Sequence, residues 1–193
     1  MWPARAAIRP VPAYAVVPRE AVDGAEAELS EDGDVEEQVD VATREFERLQ
    51  PALSQWLARA LDGVTDDTAQ ALGRYLGVTV WKAFVDAFAS RVKPVDEATI
   101  AAVEATFSWD EELRRGAADE VLESDDVVAM GQPHLVAFVR EQVEAALEPD
   151  EDGEPAEVDL DAVSAAYRAV LIEILALGQT LSPPRGAATE LMA

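Results

Sequence analysis

Apolar side chains recur at alternating steps of four and three residues along much of this chain, and that spacing favours helices over strands. One face of an α-helix repeats at this interval, so each such run predicts an amphipathic helix with a buried stripe. Pro51 lies inside the first run, so either the helix kinks there or a second helix begins after a very short break. The first run comprises Val35, Val39, Ala42, Phe46, Leu49, Leu53, Trp56 and Ala60.

Five further helices follow from the same spacing and from the positions of Pro and Gly. The helix from 66 to about 91 is apolar on most of its circumference, so we predict that it is the central one. In the next predicted helix, Trp109 lies off the apolar stripe and could begin a second face. The other predicted helices run from about 96 to Gly116, within 117–130, from Pro133 to about Leu147 and from about 160 to Gly178.

These runs predict an all-α protein, a bundle of five or six helices with an extended N-terminal arm. Gln50-Pro51 and Gln132-Pro133 begin similar stretches, and the helical runs that follow them contain Tyr75 and Tyr167. Two interpretations of this echo are open. The chain contains two related αα-hairpins, each a Gln-Pro helix antiparallel to the next helix, or it uses one kind of helix start twice.

The N-terminal arm, residues 1–19, is interrupted by prolines and cannot form a regular helix. It nevertheless carries large apolar side chains, which a disordered tail usually lacks. We predict that the arm binds another protein or its own domain, against the alternative of an unattached N terminus. The candidate partner-binding residues are Trp2, Ile8, Val11, Tyr14 and Val16.

Acidic residues outnumber basic ones 39 to 15, which gives a formal net charge of −24. A field of that sign repels nucleic acids and anionic membranes, so we predict that the chain binds neither. The predicted partner is another protein or a second copy of the chain. Such a charge also keeps a protein soluble without implying a partner.

The distribution of the acids divides the chain into three parts. Residues 20–40 contain no Lys or Arg, and the first part of that stretch is typical of a solvated linker. The predicted division is an extended arm and acidic linker at 1–33, a helical bundle at 34–178, and an extended tail at 179–193.

The sequence contains few groups that could carry out chemistry. It has no cysteine, which excludes disulfides and thiolate nucleophiles. His134 is the only histidine, and Ala137 and Phe138 occupy the helical positions where a partner for it would lie. The acidic stretches lack the EF-hand spacing, and no phosphate-binding glycine loop is present. We therefore predict no catalytic, cofactor-binding or metal-binding residues.

The leading functional prediction is a non-enzymatic helical interaction or scaffold protein that binds another subunit through an apolar groove or through the arm. One alternative is an acidic decoy that imitates nucleic acid and covers a basic protein. Another is a small enzyme that uses carboxylates. No run of about 18 apolar residues is present, and no continuous apolar segment follows the first arginines. The predicted location is therefore the cytoplasm.

Overall fold

The structure, a computed structural model, describes residues 7–9, 11–30, 35–115, 123–149 and 158–184. In these ranges it contains eight α-helices packed together and no strand, which confirms the all-α prediction. Two short 3-10 turns, Ala13–Ala15 and Ala89–Arg91, precede non-helical segments. The helices are α1 Arg19–Ser30, α2 Val35–Leu49, α3 Pro51–Asp62, α4 Asp67–Phe88, α5 Glu97–Arg115, α6 Ser124–Gly131, α7 Pro133–Leu147 and α8 Leu160–Thr180.

Helix α1 occupies residues for which the sequence predicted a solvated linker, so that prediction is wrong for Arg19–Ser30. Val22, Ala25 and Leu29 are spaced by three and four residues and form a helical apolar stripe. The many acids around them hid this stripe in the sequence. All three side chains are buried, and most of the acids of this helix face solvent. Residues 19–30 therefore contribute to the same core as the bundle predicted at 34–178.

The predicted break near Pro51 is a single residue. Gln50 separates α2 from α3, and Pro51 occupies the first turn of α3, where its missing N–H has no helical acceptor to lose. Gln132 separates α6 from α7 in the same way, with Pro133 in the first turn. Both glutamines have nearly the same backbone conformation, with φ −132° and ψ 58° at Gln50 and φ −135° and ψ 65° at Gln132.

Helices α4 and α8 pack against each other in the middle of the core. Helix α4 was predicted to be central, and α8 is equally enclosed, since every residue from 169 to 178 is buried. Gly73 lies where the two helices approach each other. A Cβ atom there would lie 3.1 Å from Cβ of Ala166 and 2.5 Å from Cδ2 of Leu61. Glycine at this position therefore permits the close approach of α4 to α8 and to Leu61 of α3.

The helix starts of α4 and α8 also lie together. Asp66 accepts a hydrogen bond from the backbone N–H of Ala69, which caps α4. Its second oxygen accepts the N–H of Asp159, the residue whose own carboxylate caps α8. These bonds lower the pKa of Asp66, with the Ala69 N–H as the largest cause.

The two buried glutamines connect distant parts of the chain. Gln50 donates to the carbonyl of Lys93 (3.0 Å) and accepts the N–H of Val95 (2.8 Å). Gln132 donates to the carbonyl of Ala15 (2.6 Å) and accepts the N–H of Val17 (2.9 Å). Each amide thus satisfies a carbonyl and the N–H two residues later in a non-helical segment. We call these two contacts the glutamine clamps.

The clamps hold the entries to two helices. Val17 precedes α1 by two residues, and Val95 precedes α5 by two residues. Backbone groups that are buried without a partner cost free energy, and a segment without regular structure cannot satisfy its own. Gln50 therefore fixes the entry to a helix in the second half of the chain, and Gln132 fixes the entry to a helix in the first half.

The aromatic residues of the two Gln-Pro helices have different environments. Phe138 is buried and Trp56 is half-buried, although they occupy comparable places in the Gln-Pro helices. The ring centroid of Phe138 lies 6.4 Å from that of Tyr75, so Phe138 packs on α4.

Among the described residues, no helix is both long and apolar enough to cross a membrane.

The clamps lead to a stability prediction. Replacing Gln132 with Leu should lower the free energy of unfolding by about 2–6 kcal/mol, because it leaves two backbone groups without partners, at about 1–3 kcal/mol each. Gln50→Leu should have a similar effect. Urea unfolding followed by circular dichroism measures both changes.

Amide hydrogen exchange separates the two clamps. The N–H of Val17 should exchange faster in Gln132→Leu only, and that of Val95 faster in Gln50→Leu only. Gln142→Leu is the matched control. The side chain of Gln142 makes a half-buried hydrogen bond to Glu26, so this variant should lower the free energy of unfolding by about 1 kcal/mol or less. Equal unfolding midpoints for all three variants would contradict the role of the clamps.

Candidate interaction groove

An elongated groove of about 810 Å³ lies between the N-terminal segment, α5 and α8. The N-terminal segment forms one wall and α5 forms the other, with Leu175 of α8 in the floor. Arg9 is the only charged residue that lines it among those the structure describes. In a chain with a net charge of −24, a surface without an acidic side chain is distinctive.

The α5 wall carries the most exposed large aromatic side chain of the described chain. Trp109 is 61% exposed, and Leu113, one turn further along, is 40% exposed. Thr106 and Ala102 continue the same helical face toward the start of α5. Large apolar side chains that remain exposed side by side are typical of a protein-binding surface. The position of Trp109 off the buried stripe was the sequence signal for this face.

The N-terminal wall is attached firmly to the bundle. The N–H of Ala7 donates to Oδ1 of Asp110 at 2.7 Å, and Gln132 clamps the segment near Val17. Arg91 donates from Nη2 to the carbonyl of Tyr14 (3.1 Å) and from Nε to the carbonyl of Ser182 (3.0 Å). Its guanidinium also lies over the rings of Tyr14 and Phe88, at 5.8 Å and 5.1 Å from their centroids.

The predicted partner-binding residues therefore have different environments. Ile8 is only 2% exposed and belongs to the core, although part of its surface lines the groove. Val11 and Tyr14 are half-buried and line the groove. Val16 is half-buried outside it, and Trp2 lies outside the described residues. The segment thus binds its own domain, and its binding of a partner stays a prediction.

Asp110 is the residue that joins the two walls. Its side chain is fully buried, and its oxygens accept hydrogen bonds from Ala7, Ser124 (2.9 Å) and Arg114 (2.9 Å). A buried carboxylate needs such donors to offset the loss of water. These bonds connect the N-terminal segment, α5 and the start of α6 through the side chain of Asp110.

A second cleft, of about 610 Å³, lies on another side of α5. The described ionisable residues that line it carry balanced charge, and several of them bond to one another or to nearby side chains. Arg168 donates to Glu111 (3.0 Å) and Ser108 (2.8 Å), and it lies over the ring of Phe107. The ionisable lining residues are Glu111, Arg114, Arg115, Glu123, Asp125, Tyr167 and Arg168.

Beside this cleft, Arg140 links α6, α7 and α8. Its Nη2 atom donates to Asp125 and Asp126, both at 2.7 Å, and the hydroxyl of Tyr167 donates to Asp125 at 3.0 Å. The hydrogen bond to Asp126 is the largest cause that raises the pKa of Arg140, and the same bond lowers the pKa of Asp126. Burial raises the pKa of Tyr167 to about 12. The network holds the N-terminus of α6 in place.

His134 is exposed in the first turn of α7. It borders a small crevice of about 120 Å³ with Asp23, Glu26 and Glu141. Within the described ranges, no group of three His, Asp or Glu side chains is arranged to hold a metal ion.

Glu173 is a fully buried carboxyl group on α8 that sequence reasoning missed. Neither of its oxygens has a hydrogen-bond partner among the described residues, and burial raises its pKa well above the ordinary value. Gly77 makes room for it, since a Cβ there would lie 2.8 Å from Oε2 of Glu173. Glu173 is not among the described residues that line the groove or the second cleft.

Comparison with known proteins gave no relative from which function could be transferred: no family model, curated protein or solved structure matches this chain significantly.

The buried carboxyl group makes stability depend on pH. Glutamate in the unfolded chain ionises above its ordinary pKa of 4.5, whereas Glu173 stays neutral in the native state to a higher pH. Its destabilising effect therefore grows as pH rises from the ordinary pKa toward the raised one. Glu173→Gln should increase the free energy of unfolding more at pH 7 than at about pH 4, as measured by urea unfolding.

Glu144→Gln is the control, since it removes one formal charge from an exposed position of α7. This variant reports how far the loss of general repulsion among the acids stabilises the protein. If Glu173→Gln and Glu144→Gln change stability equally at every pH, the carboxyl of Glu173 is not kept neutral.

Proposed function

We propose that this protein is a non-enzymatic helical interaction module that binds an apolar segment of another protein chain in the Trp109 groove. The single observation that carries the proposal is the exposure of Trp109 and Leu113 beside an apolar-lined groove of about 810 Å³. A groove of this size accommodates several side chains of a binding segment. Exposed tryptophan is the residue type that most often dominates binding energy at protein interfaces.

The fixed N-terminal wall supports this function. A wall held by Asp110, Gln132 and Arg91 is preorganised, so a partner does not lose free energy in ordering it. Val11 and Tyr14 would then contact the partner directly, and Ile8 would position the wall. The role that the sequence predicted for the arm becomes the formation of the groove.

The two alternatives gain less support. An acidic decoy needs a continuous face of free carboxylates, whereas Asp110, Glu111, Asp125 and Asp126 are bonded to arginines. A carboxylate enzyme needs a paired acid and base at a cleft. The bonds of Asp110 and the enclosed position of Glu173 argue against such a pair at either cleft.

We also propose that the chain comprises two related units, each a 3-10 turn followed by four helices, rather than two related hairpins alone. The order of elements repeats, α1 to α4 and then α5 to α8. Packing between elements is consistent with this pairing, because α1 contacts α4 as α5 contacts α8, and α3 contacts α8 as α7 contacts α4. The glutamine clamps support the same relationship, because the glutamine of each unit bonds the segment before the first helix of the other unit.

The cytoplasm remains the predicted location.

Photo-crosslinking tests the groove. A photoreactive residue in place of Ala105, on the exposed face of α5, should capture a protein partner in the native host. Replacing Trp109 with Ser should abolish that product while it changes the free energy of unfolding by about 0.5 kcal/mol or less, because Trp109 is largely exposed. Mass spectrometry of the crosslinked product measures the outcome.

A photoreactive residue in place of Ala27, on the exposed face of α1, is the matched control position. Products that form equally at both positions, or that persist after Trp109→Ser, would contradict binding in the groove.

A further inference from the structure

Helices α1 and α5 provide an internal comparison. Each begins two residues after a clamped position, at Arg19 and Glu97 respectively. Their buried residues have the same spacing relative to those starts, so their exposed faces can be compared position by position. Val22, Ala25 and Leu29 of α1 correspond to Ile100, Val103 and Phe107 of α5.

The exposed faces differ in charge. Where α1 exposes Glu20 and Asp23, α5 exposes Ala98 and Ala101. Both helices carry an acid at the next polar position, Glu26 and Glu104, but two residues later α1 has Glu28, which pairs with Lys82 of α4 at 2.8 Å. The corresponding residue of α5 is Thr106, which lines the groove. The acidic character of the chain is thus interrupted on this face of α5.

The shape of this face fits a helix. From Ala98 to Leu113 it spans four turns, about 22 Å at 1.5 Å per residue. Small side chains that line the groove, such as Ala102 and Thr106, let a second helix approach closely, to about 8 Å between axes. Trp109 and Leu113 at the far end would pack into the apolar seam of that helix. A strand has no edge to pair with, since the described residues form none.

The charge of the protein surface around the groove indicates which polar residues a bound helix should carry. The described residues that line the groove include no acid, but exposed acids border the α5 face at Glu97 and Glu112, and Glu104 lies beside it. With a net charge of −24, the surrounding surface attracts Lys and Arg and opposes a second copy of the chain. Arg9, on the opposite wall, would favour an acid on that side of the binding helix.

We infer that the segment bound in the groove is an amphipathic α-helix of about 15 residues, with an apolar seam against Trp109 and Leu113 and Lys or Arg along its α5-facing border. This inference rests on the proposed function, because it specifies the partner of the same groove.

Synthetic peptides test the inference with the full chain. The test peptide is an amphipathic helix of about 15 residues with Leu and Ala on one face and Lys on the other. Its controls are a scrambled peptide of the same composition, the same helix with Glu in place of Lys, and a proline-rich peptide. Fluorescence anisotropy of the labelled peptides measures affinity at low and physiological salt.

The amphipathic Lys peptide should bind at least about tenfold more tightly than each control peptide and should gain helical circular dichroism on binding. Trp109→Ser should weaken its binding by about tenfold or more. Leu160→Ser should leave the affinity unchanged, because Leu160 is 64% exposed but lies at the opposite end of α8 from the groove.

Three results would overturn the inference. Equal binding of the scrambled peptide means that only general attraction to an acidic surface operates. Tighter binding of the proline-rich peptide means that the groove takes an extended segment. Dimerisation that Trp109→Ser abolishes in analytical ultracentrifugation means that a second copy occupies the groove.

The two proposals fail separately. A crosslink at position 105 that depends on Trp109, together with failure of the amphipathic peptide to bind, leaves the groove function intact and removes only the helical partner. If neither the crosslink nor peptide binding depends on Trp109, the groove function also fails.

Discussion

The two glutamine clamps are the interaction on which the arrangement of the helices depends. Helices satisfy their own backbone groups, but the segments that lead into α1 and α5 do not, and both are covered by other parts of the chain. Gln50 and Gln132 each supply one N–H donor and one carbonyl acceptor to such a segment. Each clamp joins one half of the chain to the other, so neither half is positioned without the other.

Sequence reasoning found the helices whose apolar faces are regular. Helix α7 begins at Pro133 and ends at Leu147 as predicted, because a proline start and an uninterrupted stripe marked it. Helix α1 was missed because it is short and acidic, so its three buried residues were outweighed by its charge. The Gln-Pro echo is visible in the sequence as a repeated helix start. The role of the glutamine was not visible, since its partners are distant in sequence.

Only the α5 wall of the candidate groove could be predicted from the sequence. The spacing of α5 placed Trp109 off the buried stripe, which is the signal of a second apolar face. The other wall could not be located, because the contacts of Ala7 with Asp110 and of Tyr14 with Arg91 bring together residues far apart in the chain. Glu173 escaped notice because a carboxyl group within an apolar helix gives no periodic signal, and its neutral state results from tertiary burial.

The single guanidinium of Arg91 holds the carbonyls of Tyr14 and Ser182, which lie near opposite ends of the described chain. A mechanical consequence follows from this geometry. Tension applied between those two segments would load these two hydrogen bonds, the bond from the N–H of Ser182 to the carbonyl of Arg91 (3.2 Å), and the contact of the guanidinium with the Tyr14 ring. Because Tyr14 also lines the groove, breaking these contacts would move part of the groove wall.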